Sequence, residues 1–587
     1  MKWNAERRGV ALALVVLVAA GTYLRFHGLG RPSLWVDEVN HVLAARDLVV
    51  GRSPVFPSGE PNDRAILYSK LVALSFRLFG EGEGPARVPS AVFGVLAIPL
   101  TYLVGSLFGS RRIALLAAFL VTFSHFEIGW SRLCRMYTVF QVAFLLAVWA
   151  FLPLFWEVVR IDRRSIPKGV RAARVAVGLV ALALGTAVHI LTTEIVAILY
   201  VYLLVLVGLE SLQNRRVKLA LWQAAVLVGG IVGLVVGVLV PPARERLLWV
   251  LQYKPAWAGW GMAVDSHYYF WFLSESKRWP LLSFFLIGIL SVVARNDRKG
   301  WFWVVAFLLP VGLHTFLFSY RLSNYIFHVF PFFLMGAATG FVRVAEWLAA
   351  EMAQSSWRHL RRASLERLAL ILTIGWLPLT VWFRYGIKVS QIGEAGDNGA
   401  EGHNNWKGAT RFVQQHLRQG DRIMSTLPLT VQYYLGRCEY NLNLANARGD
   451  LEWTDTSRVG KIDFYSGAAN VGSLGQLCAV LDSLPGHLWV IVDRYRFSKA
   501  GYVPPDIASF VRQNFRSAWQ DPYETVDVYC WPPEDCGNSS TALSTLRDPK
   551  ATPWGEKAAV VSPGRPSGAP ARGEMAWDPR NGTGVLP

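Results

Sequence analysis

Charged side chains are scarce in this chain. Only 17% of its 587 residues are charged, whereas 53% are hydrophobic; an average soluble domain carries about a quarter charged residues. The mean hydropathy of +0.30 points the same way. This composition excludes a disordered chain, a fibrous protein and one large water-soluble globule. It predicts a polytopic membrane protein with a soluble appendage.

Motifs for nucleotides and for structural zinc are also missing. The sequence has no Walker loop, no convincing G-x-G-x-x-G turn and no zinc-like ligand spacing. We therefore expect chemistry that does not use a bound nucleotide.

Acidic residues are outnumbered by basic ones, 41 against 59, which gives a net charge of +18. Such an excess could indicate nucleic-acid binding, but the positive residues are dispersed in short clusters between apolar runs. They form no single basic stripe with interleaved aromatic residues. The distribution instead follows the positive-inside rule for membrane proteins, and we expect no nucleic-acid partner.

Long apolar runs dominate the first two thirds of the sequence. About 20 apolar residues in a helix cross a bilayer core of about 30 Å. About eleven runs approach this length, near residues 9–24, 86–108, 112–127, 136–158, 174–191, 194–210, 219–240, 281–294, 301–318, 325–342 and 368–385. We predict a transmembrane helix at each.

Basic loops alternate with loops that are charge-balanced or short, which fixes the predicted topology. The basic loops lie near residues 111–112, 160–174, 215–218, 295–299 and 358–367, and the N-terminus is basic too. The positive-inside rule places all of them in the cytoplasm. The extracytoplasmic segments are then residues 25–84, 128–135, 191–194, 241–280 and 319–324, and everything after about residue 386.

Two segments outside the membrane have their own periodicity. In the first outer loop, residues 25–84, the spacing predicts amphipathic helices at 36–50 and 66–79 that lie in the membrane interface. In the C-terminal part the pattern predicts helices at 406–418 and 506–519, and strands at 421–427, 487–493 and 524–531. The predicted organisation is a membrane module at 1–385, an extracytoplasmic α/β domain at 386–540 and a disordered tail at 541–587.

Four of the five cysteines, Cys438, Cys478, Cys530 and Cys536, fall in the predicted outer domain. In an oxidising compartment they permit two disulfides in three pairings. Free buried thiols are the alternative, and the sequence does not decide between them.

Two adjacent carboxylates, Asp37 and Glu38, follow the first apolar run. One interpretation is a helix cap, in which Asp37 satisfies free N–H groups at the start of the helix. The other is a general base at the mouth of a membrane cavity, where partial burial tunes a carboxylate for proton transfer.

Arginines stand at outer helix ends, where the positive-inside rule does not require them. Arg132 and Arg135 lie in S-R-L-C-R-M-Y at 131–137, and Arg321 lies in S-Y-R-L-S-N-Y at 319–325. Each could contact lipid headgroups, or bind a phosphate through paired hydrogen bonds. Further candidates toward the same face are Lys70, Tyr137 and Tyr325, with Glu127, His189 and Glu194 in supporting or purely structural roles. Together these residues indicate chemistry on a lipid-linked phosphate.

Several stretches carry a family resemblance. They are W-V-D-E at 35–38, the run R-V-P-S-A-V-F-G-V-L-A-I-P-L-T-Y-L-V-G-S-L-F-G at 87–109, R-M-Y at 135–137, R-L-S-N-Y at 321–325 with Pro331, and N-W-K-G-A-T-R-F at 405–412. With these motifs the chain resembles bacterial membrane glycosyltransferases of the GT-C superfamily. The similar group comprises protein O-mannosyltransferases and lipid A aminoarabinose transferases, glycosyltransferase family 39.

The resemblance implies a fold and a site. The fold is a polytopic all-α membrane protein, about eleven transmembrane helices in the GT-C arrangement, with a C-terminal extracytoplasmic α/β domain. The catalytic acid residue maps onto Asp37, with Glu38 beside it. Arg135 and Tyr137 match the second motif, but Leu133 stands where many relatives carry Glu, so Glu127 is an alternative second carboxylate. No cofactor is implied with certainty, and a divalent metal stays open.

The resemblance also implies a reaction. An inverting glycosyltransferase would move a sugar from a polyprenyl-phosphate donor to an acceptor hydroxyl of a protein, a glycolipid or a polysaccharide. The place would be the outer face of the bacterial cytoplasmic membrane. The alternative is a transporter or flippase for a lipid-linked or anionic substrate. It is less favoured because transport sites usually lie near the bilayer midplane, whereas the ionisable residues here gather at helix ends.

Overall fold

A computed structural model describes most of the chain. The described residues are 5–108, 110–162, 165–214, 265–275, 278–318, 321–354, 404–447, 453–499, 501–522 and 524–533, with isolated helical positions between 228 and 248 and at 371 and 375. The predicted spans near 219–240 and 368–385, the boundary at 385 and the tail at 541–587 lie outside these ranges or almost wholly so.

Helices make up the described part of the membrane module. They are α1 Ala5–Phe26, α2 Val36–Val49, α3 Ile66–Phe79, α4 Glu83–Ser106, α5 Arg111–Phe123, α6 His125–Ser131, α7 Tyr137–Val158, α8 Lys168–Val188, α9 Glu194–Asn214, α10 Tyr268–Ser274, α11 Trp279–Arg295, α12 Trp301–Phe316 and α13 Phe330–Gln354. Short 3-10 helices at Ile190–Thr193 and Ser323–Val329 precede α9 and α13.

Six described helices are long and apolar enough to cross a membrane, or eight if each of two bent pairs is one crossing. In one pair, α5 and α6 meet at 57°, where Ser124 leaves the helical conformation and caps α6 through the Glu127 amide. The predicted helical membrane architecture is confirmed. The predicted count of about eleven spans is not reached within the described ranges.

The first outer loop folds into the two predicted helices, α2 and α3. Their buried faces, with Val39, Val42, Tyr68 and Val72, join the hydrophobic core of the membrane module. At the start of α2 the Trp35 amide donates to the Glu38 carboxylate over 2.9 Å. A carboxylate on the third residue of a helix commonly satisfies an amide at its start, so Glu38 performs this function.

The outer domain is built on a six-stranded sheet in the order β3-β2-β1-β4-β6-β5. Its strands are β1 Arg422–Ser425, β2 Tyr440–Asn441, β3 Ala469–Asn470, β4 Leu488–Asp493, β5 Arg516–Gln520 and β6 Val526–Trp531. The first four pair in parallel, and β6 pairs antiparallel with β4 and β5. The helices are α14 Trp406–His416, α15 Pro428–Leu435, α16 Leu474–Asp482, α17 Arg494–Phe497 and α18 Pro505–Asn514.

One sequence-based element in this domain is half wrong. The predicted helix at 506–519 ends at Asn514, and Arg516–Gln520 forms the edge strand β5. Tertiary pairing with β6 decides the outcome, because Ser517 and Trp519 take ladder positions opposite Tyr529 and Val528.

The structure excludes one of the two alternatives for the cysteines, two disulfides. Cys438 and Cys478 are free thiols, so two disulfides within the set of four are excluded. Cys530 is disulfide-bonded, and Cys536 lies outside the described residues.

The helix α15 joins the outer domain to the membrane module. Leu429 belongs to the hydrophobic core of the membrane helices, and Tyr433 packs against it. The Arg46 guanidinium of α2 lies 4.5 Å from the centre of the Tyr433 ring. The outer domain therefore rests directly on the first outer loop.

Candidate active site

Asp37 forms an ion pair in the first turn of α2. Its Oδ2 lies 3.1 Å from Nη1 of Arg135, which also donates to the Asp37 carbonyl over 3.2 Å. The Asp37 side chain is 37% exposed, but that of Arg135 only 10%. The pair thus presents an accessible carboxylate in front of a nearly buried cation.

Arg135 is held from several directions. Its Nη2 donates to the Tyr137 hydroxyl over 3.4 Å, and its carbonyl accepts from Ser90 Oγ at 2.8 Å. The Tyr137 hydroxyl in turn accepts from the Asn324 amide at 2.5 Å. Burial by itself would lower the pKa of Arg135, but the Asp37 carboxylate and the Tyr137 hydroxyl outweigh it and raise that pKa. The guanidinium therefore stays charged.

Glu38 is placed quite differently from its neighbour. It is fully buried, and Oε1 and Oε2 accept from Nε and Nη2 of Arg87, each over 2.8 Å. Oε1 also accepts from the Cys134 amide at 2.6 Å, and Oε2 from the Trp35 amide. With two hydrogen bonds on each oxygen, this carboxylate ties α2 to α4 and to the turn before α7.

Arg132 and Arg321 point at backbone carbonyls. Nη1 of Arg132 donates to the carbonyl oxygens of Leu24, Arg25 and His27 at the end of α1, the last over 2.7 Å. Arg321 donates to the Thr315 carbonyl from both Nε and Nη2. Burial, with the nearby charges of Arg87 and Arg31, lowers the pKa of Arg132 to about 10.

Two histidines have pKa values that are lowered in part by nearby cations. The pKa of His41 is lowered by burial, and further by Arg135 and Arg64. The pKa of His189 is lowered by burial first, and then by His328, Arg64 and Arg135 among others. The charges of Arg64 and Arg135 thus both contribute to lowering the pKa of each imidazole.

Glu194 bridges two histidines. Its Oε1 and Oε2 lie 3.0 Å from Nε2 of His314 and of His328 respectively. Nδ1 of each of these imidazoles is buried and has no hydrogen-bond partner among the residues that the structure describes. Glu194 therefore links α9 to α12 and to the segment before α13.

The other predicted site residues form no direct hydrogen bond or ion pair with Asp37 or Arg135 among the described contacts. Glu127 is buried on α6 and accepts from the Gln141 amide at 3.0 Å. His189 stacks on Phe140 and caps Leu191, and the Tyr325 ring stacks on His314. Lys70 is exposed on α3. The geometry thus brings Asp37, Arg135 and Tyr137 together and leaves Lys70 without a described contact to them.

Comparisons with known proteins give one family match and several structural matches. Residues 63–163 match the family model described as dolichyl-phosphate-mannose-protein mannosyltransferase. No curated protein matches this sequence. The structure is similar to ArnT from Cupriavidus metallidurans bound to undecaprenyl phosphate, with a TM-score of 0.53 at 14% identity over 89% of this chain and 99% of that one.

A second match is the archaeal oligosaccharyltransferase AglB from Archaeoglobus fulgidus, in complex with an inhibitory peptide and a dolichol-phosphate. Its TM-score is 0.57 at 12% identity, over 89% of this chain and 74% of that one. The chain has a GT-C fold. The resemblance drawn from the motifs is thereby confirmed at the level of the fold.

Sequence reasoning did not single out several residues that contact the candidate site residues. Arg87 was not singled out because it stands at the start of an apolar run, where a charged residue is typical of a helix end. Asn324 lies in the R-L-S-N-Y stretch but was not singled out, and His314 and His328 belong to no motif. One signal was available for Arg87: a guanidinium this close to an apolar run needs a carboxylate partner, and Glu38 was in view.

The described part of the GT-C chain contains no three His, Cys, Asp or Glu side chains placed to share a metal ion. Asp37 meets a guanidinium, and Glu194 meets two imidazoles through their Nε2 atoms.

Proposed function

We propose that this protein is an inverting glycosyltransferase. It moves a sugar from a polyprenyl-phosphate donor to an acceptor hydroxyl at the outer face of the cytoplasmic membrane. The observation that carries the proposal is the Asp37–Arg135 pair, in which an accessible carboxylate and a buried, permanently charged guanidinium meet at 3.1 Å.

Asp37 is the general base in this proposal. It accepts the proton of the acceptor hydroxyl, whose oxygen attacks the anomeric carbon opposite the phosphate. The new carbon–oxygen bond forms as the bond to phosphate oxygen breaks, and polyprenyl phosphate leaves with the electron pair. The configuration inverts, and the proton passes from Asp37 to water. General base catalysis of this kind contributes about 10²–10⁴-fold.

Arg135 is the first candidate for the charge that grows on the leaving phosphate. Preorganised donors at such a position are worth about 3–4 kcal/mol each. Arg132 and Arg321 are weaker candidates, since both donate to backbone carbonyls.

Glu38 takes a positioning role in this proposal, although its motif suggested a catalytic one. Its oxygens already accept four hydrogen bonds, which leaves little capacity for a substrate proton. It fixes the start of α2 and the turn that carries Arg135.

The donor class is supported by fold relatives. ArnT is bound to undecaprenyl phosphate, and AglB to a dolichol-phosphate. The alternating basic loops support the outward orientation of the site. The acceptor class stays a protein, a glycolipid or a polysaccharide.

The test compares two aspartates of α2 in proteoliposomes. Purified full-length protein receives polyprenyl-phosphate-linked mannose or aminoarabinose, labelled in the sugar, and a membrane extract as acceptor source. Asp37→Asn should lose about 10²–10⁴-fold in transfer. Asp47→Asn, whose carboxylate pairs with Arg52, should transfer like the wild type. Full transfer by Asp37→Asn would refute the assignment.

Two further readouts address the acceptor and the transporter alternative. Mass spectrometry of lipids and glycoproteins from cells with and without the chain should show a sugar-bearing product that is lost in its absence. Donor flux across the same vesicles without transfer would support a flippase instead.

A further inference from the structure

The outer domain reaches the segment directly before the proposed base. The backbone from Gly30 to Leu34 leads into α2, and Asp37 lies three residues beyond it. Side chains of α14 and α15 bind this segment at several points. The contacts are hydrogen bonds from a soluble domain to catalytic-loop backbone, so they do more than bury apolar surface.

Tyr434 of α15 makes the central contact. Its hydroxyl accepts a hydrogen bond from the Leu34 amide at 2.8 Å and donates to Glu83 Oε1 at 3.3 Å. Leu34 is fully buried, so its amide has no access to water. Burial, together with Glu83, raises the pKa of Tyr434 even though the Leu34 amide lowers it. The hydroxyl thus keeps its proton and serves both partners.

Lys407 of α14 completes the contact. Its ammonium lies 2.7 Å from Glu83 Oε1 and donates to the Gly30 carbonyl at 3.1 Å. Its backbone amide donates to Ser33 Oγ over 3.0 Å. Glu83 starts α4, so the outer domain, the loop and the helix that carries Arg87 meet at one carboxylate.

The opposite side of the loop is held from the membrane module. Arg87 donates to the carbonyls of Leu29, Pro32 and Ser33 over 2.8–3.0 Å. The loop is therefore bound by carbonyl contacts on one side and by the Leu34 amide on the other. Loss of the Tyr434 hydroxyl would leave that amide as a buried donor without a partner, which is costly.

We propose that Tyr434 is a positioning residue, through which the outer domain sets the place of the Asp37 carboxylate relative to Arg135. The inference rests on the proposed function. Small errors of placement matter in such a role, since a shift of about 1 Å can cost on the order of 10²-fold in rate. In this proposal the outer domain is part of the catalytic apparatus.

The experiment compares neighbouring tyrosines in full-length protein. Tyr434→Phe removes only the hydroxyl, whereas Tyr433→Phe is the matched control, because Tyr433 contributes its ring face to Arg46. Tyr434→Phe should lower kcat for sugar transfer about tenfold while the KM for the polyprenyl-phosphate donor stays within twofold. Tyr433→Phe should match the wild type in both constants.

Binding and a second variant separate positioning from general damage. Undecaprenyl phosphate should bind Tyr434→Phe with nearly wild-type affinity, because Arg135 keeps its contacts with Ser90 and Tyr137 in that variant. Lys407→Met, which removes the ammonium from Glu83 and Gly30, should lower kcat by about threefold in the same manner.

Two results would overturn the inference. One is wild-type kcat in Tyr434→Phe, and the other is a loss shared equally between kcat, donor affinity and unfolding temperature. Asp37→Asn is assayed alongside: if it is inactive while Tyr434→Phe is fully active, the proposed function stands and the positioning role fails. If Asp37→Asn is fully active, the proposed function itself fails.

Discussion

Two ion pairs start from adjacent residues of α2 and differ in almost everything else. Glu38 and Arg87 are both fully buried and joined by two hydrogen bonds of 2.8 Å. Asp37 and Arg135 are joined at 3.1 Å, with a carboxylate that is 37% exposed. A helix turns about 100° per residue, so neighbouring side chains face different surroundings.

The difference teaches how to assign roles to like residues. A buried carboxylate with every acceptor position engaged stabilises the structure, because breaking the pair would strand a charge. A half-exposed carboxylate beside a fixed cation has free acceptor capacity, which catalysis needs. Residue type and motif position did not separate the two; burial and hydrogen bonding do.

The largest expected effect is a loss of stability in a Glu38 variant, which an Asp37 variant should not share. Glu38→Gln leaves Arg87 buried without its charge partner, which should cost about 3–5 kcal/mol of stability. Folded yield in detergent and unfolding temperature should fall sharply, whereas Asp37→Asn should keep both and lose transfer. An unfolding temperature for Glu38→Gln equal to that of Asp37→Asn would contradict this division.

A smaller effect is expected on the cation side of the exposed pair. Arg135→Met removes charged hydrogen bonds worth about 1.5–3 kcal/mol each to a bound phosphate. Binding of undecaprenyl phosphate, measured by titration calorimetry in detergent, should weaken roughly ten- to a hundredfold. Arg77→Met, on the exposed face of α3, is the control. Unchanged affinity in Arg135→Met would remove Arg135 from the donor site.

The neighbourhood of the pair also predicts a pH effect. Burial and the charges of Arg135 and Arg64 lower the pKa of His41. In the unfolded chain His41 has a pKa of about 6.5 and binds a proton below that pH. In the folded chain it stays neutral there, so the free energy of unfolding falls as the pH drops. The loss is at most about 1.4 kcal/mol per pH unit.

His41→Asn should therefore reduce the fall in unfolding temperature between pH 7 and pH 5.5. His267→Asn, at a side chain that is 71% exposed, should leave that fall as in the wild type. An identical pH profile for the His41 variant and the wild type would show that this imidazole is not held neutral.

The smallest effect is expected for a surface pair between α2 and the connection from α3 to α4. Arg46 and Glu81 form an ion pair with side chains that are 39% and 40% exposed. Exposed pairs contribute about 0–1 kcal/mol because water and salt screen them. A double-mutant cycle with Arg46→Met and Glu81→Gln should give a coupling within that range. A coupling as large as that of Glu38 with Arg87 would undermine the argument from burial.

Much of the fold was predictable from local patterns. Apolar runs near membrane thickness predicted the membrane helices, and the periodicity at 66–79 predicted α3. The strand β5 was not predictable from its own residues, because its pairing with β6 overrides local preference. The bend at Ser124 was missed because the apolar run continues through it.

The candidate site was predictable in part, because some of its residues lie in recognisable motifs. Asp37, Arg135 and Tyr137 were noticed because W-V-D-E and R-M-Y are motifs at predicted outer helix ends. Arg132 and Arg321 were noticed for the same feature, yet their guanidiniums bind backbone carbonyls. A sequence specifies that an arginine is charged, but not which oxygen atoms the fold will bring to it.

The sequence by itself determined that this chain is a membrane protein, where most of its described helices lie and which motifs stand at helix ends. Those properties follow from side-chain hydrophobicity and charge, which are local. Only the tertiary structure decided that Asp37 meets Arg135 while Glu38 meets Arg87, and that Tyr434 reaches Leu34 from 400 residues away. Such partners depend on packing between distant segments, which no local pattern records.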